Sequence, residues 1–285
     1  MCADIQSLKS ILRSIGLRPK RKLGQHFMIN YNTLNYMVEL ANVSADDVIL
    51  EVGAGLGHLT ELLSQKAQKV YAIELDKRLY HYLANKFRDV KNVSLILGDV
   101  LKINLPRFNK VVSNLPFSIS TEFTIKLLTN PKGFHLAVLT YQREVALRMV
   151  ATPGSQDYGR LSVVTQLLSD VQVAMEVPRS SFYPPPEVDA AIVVLKPKPH
   201  PLQAKELSEF ANFVALLFSQ RRKLVEKAVS VVFHKILKLR VNEEQVSKAL
   251  VSLRGKRVFE LTPEELLLLY KDLKEEFLGE GYQVP

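Results

Sequence analysis

The chain has 285 residues, of which 47% are hydrophobic, and this composition excludes a disordered polymer and favours one substantial domain plus a smaller one. A single cysteine, Cys2, excludes an intrachain disulfide, and no apolar run approaches the roughly 18 residues of a membrane span, so we expect a cytoplasmic protein. The formal net charge of +9 favours a polyanionic partner, because lysine and arginine displace counterions from phosphates.

The N-terminal arm, residues 1–23, is rich in basic side chains. Arg13, Arg18 and all three residues at 20–22 are lysine or arginine. Such an arm can contact phosphates, but a solvated surface explains the charges equally well. The six histidines of the chain show no metal-ligand spacing, so we expect no metal site.

Short β-branched runs alternate with helical periodicity from residue 47 onward. This alternation predicts a mostly parallel sheet that is covered by helices on both faces. The ligand crevice of such a sheet lies at the carboxyl ends of the strands. The apolar pattern predicts one helix at residues 77–87. It predicts the first strands at residues 48–52, 69–75, 93–97, 111–112 and 136–140.

The pattern changes after Gly154. Residues 161–168 have helical periodicity, whereas residues 171–177 and 190–195 have the composition of strands. We predict that these two strands close the sheet as a late hairpin with a long connection.

Residues 196–201 read Lys-Pro-Lys-Pro-His-Pro and predict a stiff linker without helix or strand. We place the domain boundary there, between a domain at residues 1–198 and a domain at residues 203–285. Beyond the linker apolar residues recur at helical spacing, and residues 262–265, Thr-Pro-Glu-Glu, open the last helix with a capping box. The second domain is therefore predicted to be small and all-helical.

The turn after the first predicted strand belongs to the sequence Glu-Val-Gly-Ala-Gly-Leu-Gly-His-Leu-Thr at residues 51–60. Gly53 and Gly55 allow the backbone to turn tightly and approach a ligand, but His58 stands where a dinucleotide fingerprint needs its third glycine. This spacing favours a nucleoside without a pyrophosphate, such as S-adenosylmethionine. Taken alone, the turn is also compatible with a purely structural role.

Two acidic residues follow at the ends of the next predicted strands. Glu74 lies about 20 residues after the glycines, where a carboxylate can accept the protons of ribose hydroxyls. Asp99 lies where it can accept a hydrogen bond from an adenine amino group. Each acid alone is more often a cap or a loop residue, but three ligand-type positions at three successive strand ends favour a cofactor site.

Residues 114–117 read Asn-Leu-Pro-Phe. The amino nitrogen of adenine is a poor nucleophile because its lone pair is delocalised into the ring. The Asn114 side-chain carbonyl and the Leu115 backbone carbonyl can accept the amino protons, while Pro116 stiffens the turn and Phe117 can stack on a flipped base. The motif predicts methyl transfer to a base, although a structural proline turn explains the tetrapeptide alone.

Together these motifs resemble those of ribosomal RNA adenine dimethyltransferases over residues 20–195. The resemblance implies a Rossmann-like class I methyltransferase sheet and dimethylation at N6 of two adjacent adenines near the 3′ end of small-subunit rRNA. It also implies S-adenosylmethionine as cofactor and the pre-ribosomal small subunit as partner, during ribosome assembly. The motifs occur in the family's order, at residues 24–30, 51–60, 74, 98–99, 114–120 and 182–189.

The resemblance also implies which residues form the site. Gln25, His26 and Met28 would close over the methionine part of the cofactor, and Gly53 and Gly55 would lie behind it. Glu74 would hold the ribose, and Asp99 with Val100 would contact the adenine. The cofactor residues would be Gln25, His26, Met28, Gly53, Gly55, Glu74, Asp99, Val100 and Asn114. The catalytic residues would be Asn114, Leu115, Pro116, Phe117 and Phe182, with the two phenylalanines on either side of the target base.

Two positions distinguish this chain within the resemblance. Many relatives have tyrosine where this chain has Phe117, a change that keeps the stacking but removes a hydroxyl. His26 stands where bacterial relatives tend to have asparagine, and with residues 258–265 it makes the chain look archaeal. We expect a monomer, because no dimer seam is evident.

Three alternatives remain open at the level of sequence. A large-subunit rRNA methyltransferase would share the first domain, but Asn-Leu-Pro rather than Asn-Ile-Pro and the extended basic helical domain favour the small subunit. A non-enzymatic nucleic-acid-binding relative would share the fold, but the intact motifs argue against it. A DNA adenine methyltransferase would use the same chemistry. We expect the helical domain to dock on rRNA through Arg221, Arg222, Lys223, Arg254, Lys256 and Arg257.

Overall fold

The computed structural model describes residues 5–19, 24–130, 132–233 and 250–274. These residues divide between two compact units. The first unit comprises those within 1–127, 132–146 and 170–197, and the second comprises those within 128–131, 147–169 and 198–285.

The second unit therefore includes a segment, residues 147–169, that the sequence places in the first domain. Polar contacts explain this assignment. Arg160 donates from Nε to the carbonyl oxygen of Ala211 at 3.1 Å, and the Tyr158 hydroxyl donates to the carbonyl oxygen of Leu261 at 2.8 Å. The segment is thus bonded to the C-terminal helices, which composition and periodicity along the chain do not reveal.

The first unit is built on a seven-stranded sheet with the order β4-β3-β2-β5-β6-β9-β7. Adjacent strands from β4 to β6 are parallel, whereas β9 is antiparallel to β6. A separate antiparallel pair joins β1 to β8. In chain order the strands are β1 (Phe27–Met28), β2 (Val48–Val52), β3 (Lys69–Glu74), β4 (Val93–Leu97), β5 (Lys110–Ser113), β6 (Leu136–Gln142), β7 (Ser169–Val177), β8 (Phe182–Tyr183) and β9 (Ala190–Pro197).

Most predicted strands agree with this sheet. The predictions for β2 and β4 match residue for residue, and the two late strands are neighbours in the sheet as predicted, because β7 lies beside β9. The linker prediction is wrong at its start, since β9 continues through Lys196 and Pro197. Proline is tolerated at the end of a strand, where its missing N–H removes no required ladder bond.

Helices cover the sheet of the first unit. Apolar side chains of α2 and α3, including Met37 and Leu63, pack on strand residues such as Ile49 and Val70. Helix α1 lies within the basic N-terminal arm, where no helix is predicted from the sequence, and it buries Leu8 and Leu12. The helices are α1 (Ile5–Ser14), α2 (Tyr31–Leu40), α3 (His58–Ser64), α4 (Lys77–Lys86), α5 (Ser120–Leu128) and α6 (Arg143–Met149).

The second unit contains helices α7 (Arg160–Leu168), α8 (Ala204–Phe218), α9 (Val225–Val231) and α10 (Pro263–Leu273). The predicted capping box of α10 is confirmed, because Thr262 and Glu265 each accept a hydrogen bond from the other's backbone N–H. The basic residues 20–22 lie outside the described residues. Across the ranges that are described, no helix is long and apolar enough to cross a membrane.

Candidate active site

A cavity of about 180 Å³ lies in the first unit, at the carboxyl edge of the sheet. Its wall includes the carboxyl ends of β2 and β3, the turns that follow β2, β3, β4 and β5, the first residues of α3, residues 24–28, Leu34 and Leu79. The cavity thus lies at the predicted edge. All nine residues predicted to contact the cofactor line it: Gln25, His26, Met28, Gly53, Gly55, Glu74, Asp99, Val100 and Asn114.

The glycine turn after β2 lies directly against the Asn-Leu-Pro-Phe turn. Gly53 has a φ of +73°, and a Cβ added there would lie 2.9 Å from the ring of Pro116. Only glycine adopts this backbone conformation without strain and also leaves room for the proline. A side chain at Gly53 would therefore push the predicted cofactor turn away from the predicted catalytic turn.

Glu74 at the end of β3 organises the glycine turn through its carboxylate. Oε2 accepts the N–H of Gly55 at 2.9 Å, and Oε1 accepts the N–H groups of Leu75 and Asp76 at 2.9 Å each. Burial raises the pKa of Glu74, while the three backbone N–H groups oppose the rise. Because Oε2 has one protein donor, it keeps a lone pair with which it can accept a hydroxyl proton of a ligand.

Glu51 is a cavity-lining acid to which the sequence analysis assigns no role. Its side chain is buried in β2, and Oε2 accepts a hydrogen bond from the Thr60 hydroxyl at 2.6 Å. Burial raises the pKa of Glu51 to about 8. The sequence contains a signal for this residue, an acid within the apolar run Val-Ile-Leu-Glu-Val. Acids are rarely buried in strands, and those that are buried are often at functional sites.

The turns after β3 and β4 supply an apolar surface for a planar group. Leu75 lines the cavity and is 54% exposed, and the buried Val100 lines it as well. Asp99 accepts the N–H of Leu101 at 3.0 Å through Oδ1, and its Oδ2 lies 3.8 Å from Lys102 Nζ. Leu75 is a second residue that the sequence analysis missed, since one exposed leucine carries no signal by itself.

The segment before β1 reaches the cavity because β1 pairs with β8, with Met28 opposite Phe182. His26 Nδ1 lies 2.7 Å from the carbonyl oxygen of Pro184. Since a carbonyl oxygen only accepts, Nδ1 of His26 is the donor in this contact. A Cβ on Gly24 would lie 2.8 Å from the backbone nitrogen of Phe117, so this segment also touches the predicted catalytic turn.

Asn114 follows β5 and is held by hydrogen bonds from both ends of its amide. Nδ2 donates to the carbonyl oxygen of His26 at 3.0 Å, and Oδ1 accepts from the Thr140 hydroxyl at 2.7 Å. The preceding Ser113 donates to the carbonyl oxygen of Val52 at 2.6 Å, which ties the end of β5 to that of β2. These contacts fix the amide beside the glycine turn.

The aromatic residues form a contiguous group next to the cavity. The ring centroids of Phe117 and Phe182 are 6.1 Å apart at 64°, and those of Phe117 and His26 are 5.7 Å apart at 32°. For a base to fit between two parallel rings, the ring centroids must be roughly 7–8 Å apart, which is twice the usual contact distance. The sandwich therefore stays a prediction, and it requires that one phenylalanine ring turn and that the two rings move apart. Leu115, Phe117 and Phe182 are not among the described residues that line the cavity.

The basic residues of the second unit have unequal roles. Arg221 donates to the carbonyl oxygens of Ser155, Gln156 and Tyr158 and stacks on Phe259, so it holds the unit together. Lys256 is paired with Glu265, and Arg257 donates to the carbonyl oxygen of Arg222. The side chains of Arg222 and Lys223 are exposed. Only part of the predicted basic surface is therefore available to a partner.

A comparison with protein-family models finds that the model described as Ribosomal RNA adenine dimethylase matches residues 16–261. The chain belongs to this family. A "Probable ribosomal RNA small subunit methyltransferase A" of Pyrococcus abyssi is 43% identical over 93% of the chain and 96% of that protein. A protein of Methanosarcina acetivorans with the same description is 46% identical over 85% of the chain and 89% of that protein.

Solved structures agree with this family. A dimethyladenosine transferase from Plasmodium falciparum matches with a TM-score of 0.75 and 28% identity, covering 88% of the chain and 98% of that structure. The 23S rRNA methyltransferase ErmE matches with a TM-score of 0.61 and 27% identity, covering 87% and 99%. The predicted class I methyltransferase fold and the predicted enzyme class, an rRNA adenine methyltransferase, are confirmed.

Proposed function

We propose that this chain transfers methyl groups from S-adenosylmethionine to N6 of two adjacent adenines near the 3′ end of small-subunit rRNA. It would act on the pre-ribosomal small subunit during ribosome biogenesis, as a monomer in the cytoplasm. The contact between the glycine turn and the Asn114 turn supports this proposal most directly. The two turns are so close that no side chain would fit between Gly53 and Pro116. A methyl donor bound at the first turn would then lie beside acceptors at the second.

The cavity suits S-adenosylmethionine in shape and charge. The glycine turn leaves space at the backbone, Glu74 keeps an acceptor for a ribose hydroxyl, and the exposed Leu75 offers an apolar surface to an adenine ring. Glu51 is a buried acid that can pair with a cationic group once it ionises. When bound, the cofactor supplies an electrophilic methyl group on a sulfonium.

The residues of the catalytic turn act on the target amine. The Asn114 Oδ1 and the Leu115 carbonyl oxygen accept its two protons, which localises the nitrogen lone pair and aims it at the methyl group. Pro116 keeps the turn rigid and adds no competing donor. Positioning of this kind can supply much of the rate, because the methyl group is already reactive and no covalent nucleophile is needed.

A second candidate is methylation of large-subunit rRNA, which the likeness to the 23S rRNA methyltransferase ErmE favours. Relatives at 43% and 46% identity are named as small-subunit enzymes, whereas ErmE is 27% identical. We therefore infer the small subunit as the substrate.

The proposed function is tested by incubating the protein with labelled S-adenosylmethionine and ribosomal subunits that lack these methyl groups. Mass spectrometry of the digested rRNA should place the label as N6,N6-dimethyladenosine at two adjacent positions in the small subunit. Label in the large subunit alone would support the second candidate. Absence of label in both would contradict the proposal.

The exposed Leu75 provides a test of cofactor binding. We expect Leu75→Ala to weaken S-adenosylmethionine binding by about 5–10-fold, since an apolar contact of roughly 1 kcal/mol is lost. Calorimetric titration measures this change, and the melting temperature should stay the same because Leu75 is 54% exposed. Leu97, which is 40% exposed and does not line the cavity, provides the matched control. Equal affinities in Leu75→Ala and Leu97→Ala would show that Leu75 does not contact the cofactor.

Charge reversal at Arg222 and Lys223 tests whether the second unit docks on rRNA. We expect the double glutamate variant to bind small subunits about 10-fold more weakly and to show a shallower salt dependence of binding. Both side chains are exposed, so the fold should be unaffected. Charge reversal is preferable to deletion of residues 203–285, because the deletion would also remove the helices that residues 147–169 contact.

The matched control for this double variant reverses Lys66 and Lys91, two exposed lysines of the first unit. Binding is measured by filtration of labelled subunits at several salt concentrations. If both double variants lose the same affinity, then the effect is one of net charge and the second unit has no dedicated docking surface.

A further inference from the structure

Asn114 has a neighbour, Thr140, to which neither the motifs nor the proposed mechanism assigns a role. We propose that Thr140 is a positioning residue, whose hydroxyl sets the direction in which the Asn114 carbonyl meets the target amine. The inference rests on the proposed function of Asn114. Its basis is the 2.7 Å hydrogen bond from Thr140 Oγ1 to Asn114 Oδ1.

The orientation of the Asn114 amide follows from its other contact. The carbonyl oxygen of His26 can only accept a hydrogen bond, so the amide group that faces it at 3.0 Å must be the NH₂. The amide oxygen then faces Thr140, and the Thr140 hydroxyl must be the donor. The chain from His26 through Asn114 to Thr140 therefore has one arrangement of protons.

This arrangement decides which lone pair of Asn114 remains for the substrate. An amide oxygen accepts along two directions in its own plane. Thr140 occupies one of them, so one amino proton of the target can take the other. The terminal torsion of asparagine is broad when it is unrestrained, so without the hydroxyl the remaining lone pair would sample directions away from the amine. Small errors in such alignment reduce rates strongly.

The position of Thr140 is a consequence of strand register. Parallel β5 and β6 place Ser113 opposite Leu139, and the next residues along the chain are Asn114, which follows β5, and Thr140 of β6. Residues that are level on adjacent strands face the same side of the sheet. Asn114 and Thr140 therefore meet as a side-by-side pair just where β5 ends and the catalytic turn begins.

A hydroxyl at this position has no packing advantage. Thr140 is fully buried, with Val138 and Leu139 before it, and valine would fill the same volume. A buried hydroxyl costs free energy unless it makes a hydrogen bond. Its bond to Asn114 meets this requirement and couples the strand to the predicted catalytic amide.

Two substitutions separate the hydroxyl from the methyl group of Thr140. T140V keeps the volume and removes the hydroxyl, and we expect kcat for methylation of unmethylated small subunits to fall about 10-fold. The dissociation constant of S-adenosylmethionine should change by no more than about twofold, since Thr140 itself does not line the cavity. T140S keeps the hydroxyl and should retain kcat within about threefold, although its melting temperature should fall because a buried methyl is lost.

A double-mutant cycle with N114A completes the experiment. If Thr140 acts through Asn114, then N114A/T140V should turn over no more slowly than N114A. Wild-type kcat in T140V, or an equal loss in T140S and T140V, would overturn the inference. If N114A retains wild-type turnover, the proposed function of Asn114 is what fails; if N114A is inactive while T140V is unaffected, only the role of Thr140 is refuted.

Discussion

Replacing Asn114 with alanine is expected to lower turnover by roughly 10² or more, while the affinity for S-adenosylmethionine stays within a few fold. The reason is that Oδ1 is an acceptor aimed by two hydrogen bonds, from Thr140 and to His26, and the loss of this group leaves the amine lone pair delocalised. The cofactor cradle survives, because Glu74 holds the turns after β2 and β3 without Asn114. Single-turnover methylation and calorimetry measure the two quantities.

Asn85→Ala is the matched control for this prediction. Asn85 is exposed on α4 and accepts a hydrogen bond from Arg88, so its removal deletes an amide of the same kind away from the cavity. Turnover of this variant should equal that of the wild type. Wild-type turnover in Asn114→Ala would refute the catalytic assignment, and a parallel loss of cofactor affinity would mean that Asn114 acts mainly in binding.

The convergence of the predicted cofactor residues on one cavity could be predicted because these residues lie at consecutive strand ends. In a parallel sheet the carboxyl ends of neighbouring strands meet at one edge, so Gly53, Glu74, Asp99 and Asn114 converge without any knowledge of side-chain packing. Each strand is recognisable as a short apolar run, and each ligand-type residue lies at its end or within two residues of it. Local pattern and one topological rule were sufficient here.

The contacts that cross the chain could not be predicted in this way. Thr140 meets Asn114 only because of the register between β5 and β6, and His26 meets Pro184 only because β1 pairs with β8. Strand register depends on packing over the whole sheet, and an apolar run does not encode it. The role of a basic residue is likewise not predictable from its charge. The sequence places Arg221 in a basic surface cluster, and yet Arg221 donates to three carbonyl oxygens inside the second unit.

Glu51 should make the stability of the ligand-free protein depend strongly on pH. Its pKa is raised from 4.5 to about 8 in the folded state by burial, so folding keeps a neutral carboxyl that the unfolded chain would ionise. The associated stability is fully present below pH 4.5, declines as the pH rises, and is lost above about pH 8. At about 1.4 kcal/mol per pH unit, the decline is on the order of several kcal/mol.

Glu51→Gln should remove this decline, because an amide is neutral throughout and can still accept from the Thr60 hydroxyl. The free energy of unfolding, measured by urea titration between pH 4.5 and 9, should rise for the variant relative to the wild type by several kcal/mol across the range. Glu61→Gln, which removes an exposed acid on α3 that pairs with Lys86, is the matched control and should keep the wild-type profile. Parallel profiles for Glu51→Gln and the wild type would show that Glu51 is ionised in the folded protein.

The same acid links pH to the cofactor. If the cationic end of S-adenosylmethionine pairs with Glu51, then binding near pH 7 must drive the carboxyl to ionise and release a proton. Calorimetric titrations in buffers of different ionisation enthalpy should detect this proton for the wild type and a smaller release for Glu51→Gln. Equal proton release in both would place the cationic end elsewhere, and Glu51 would then serve only to hold Thr60 and the start of α3 against β2.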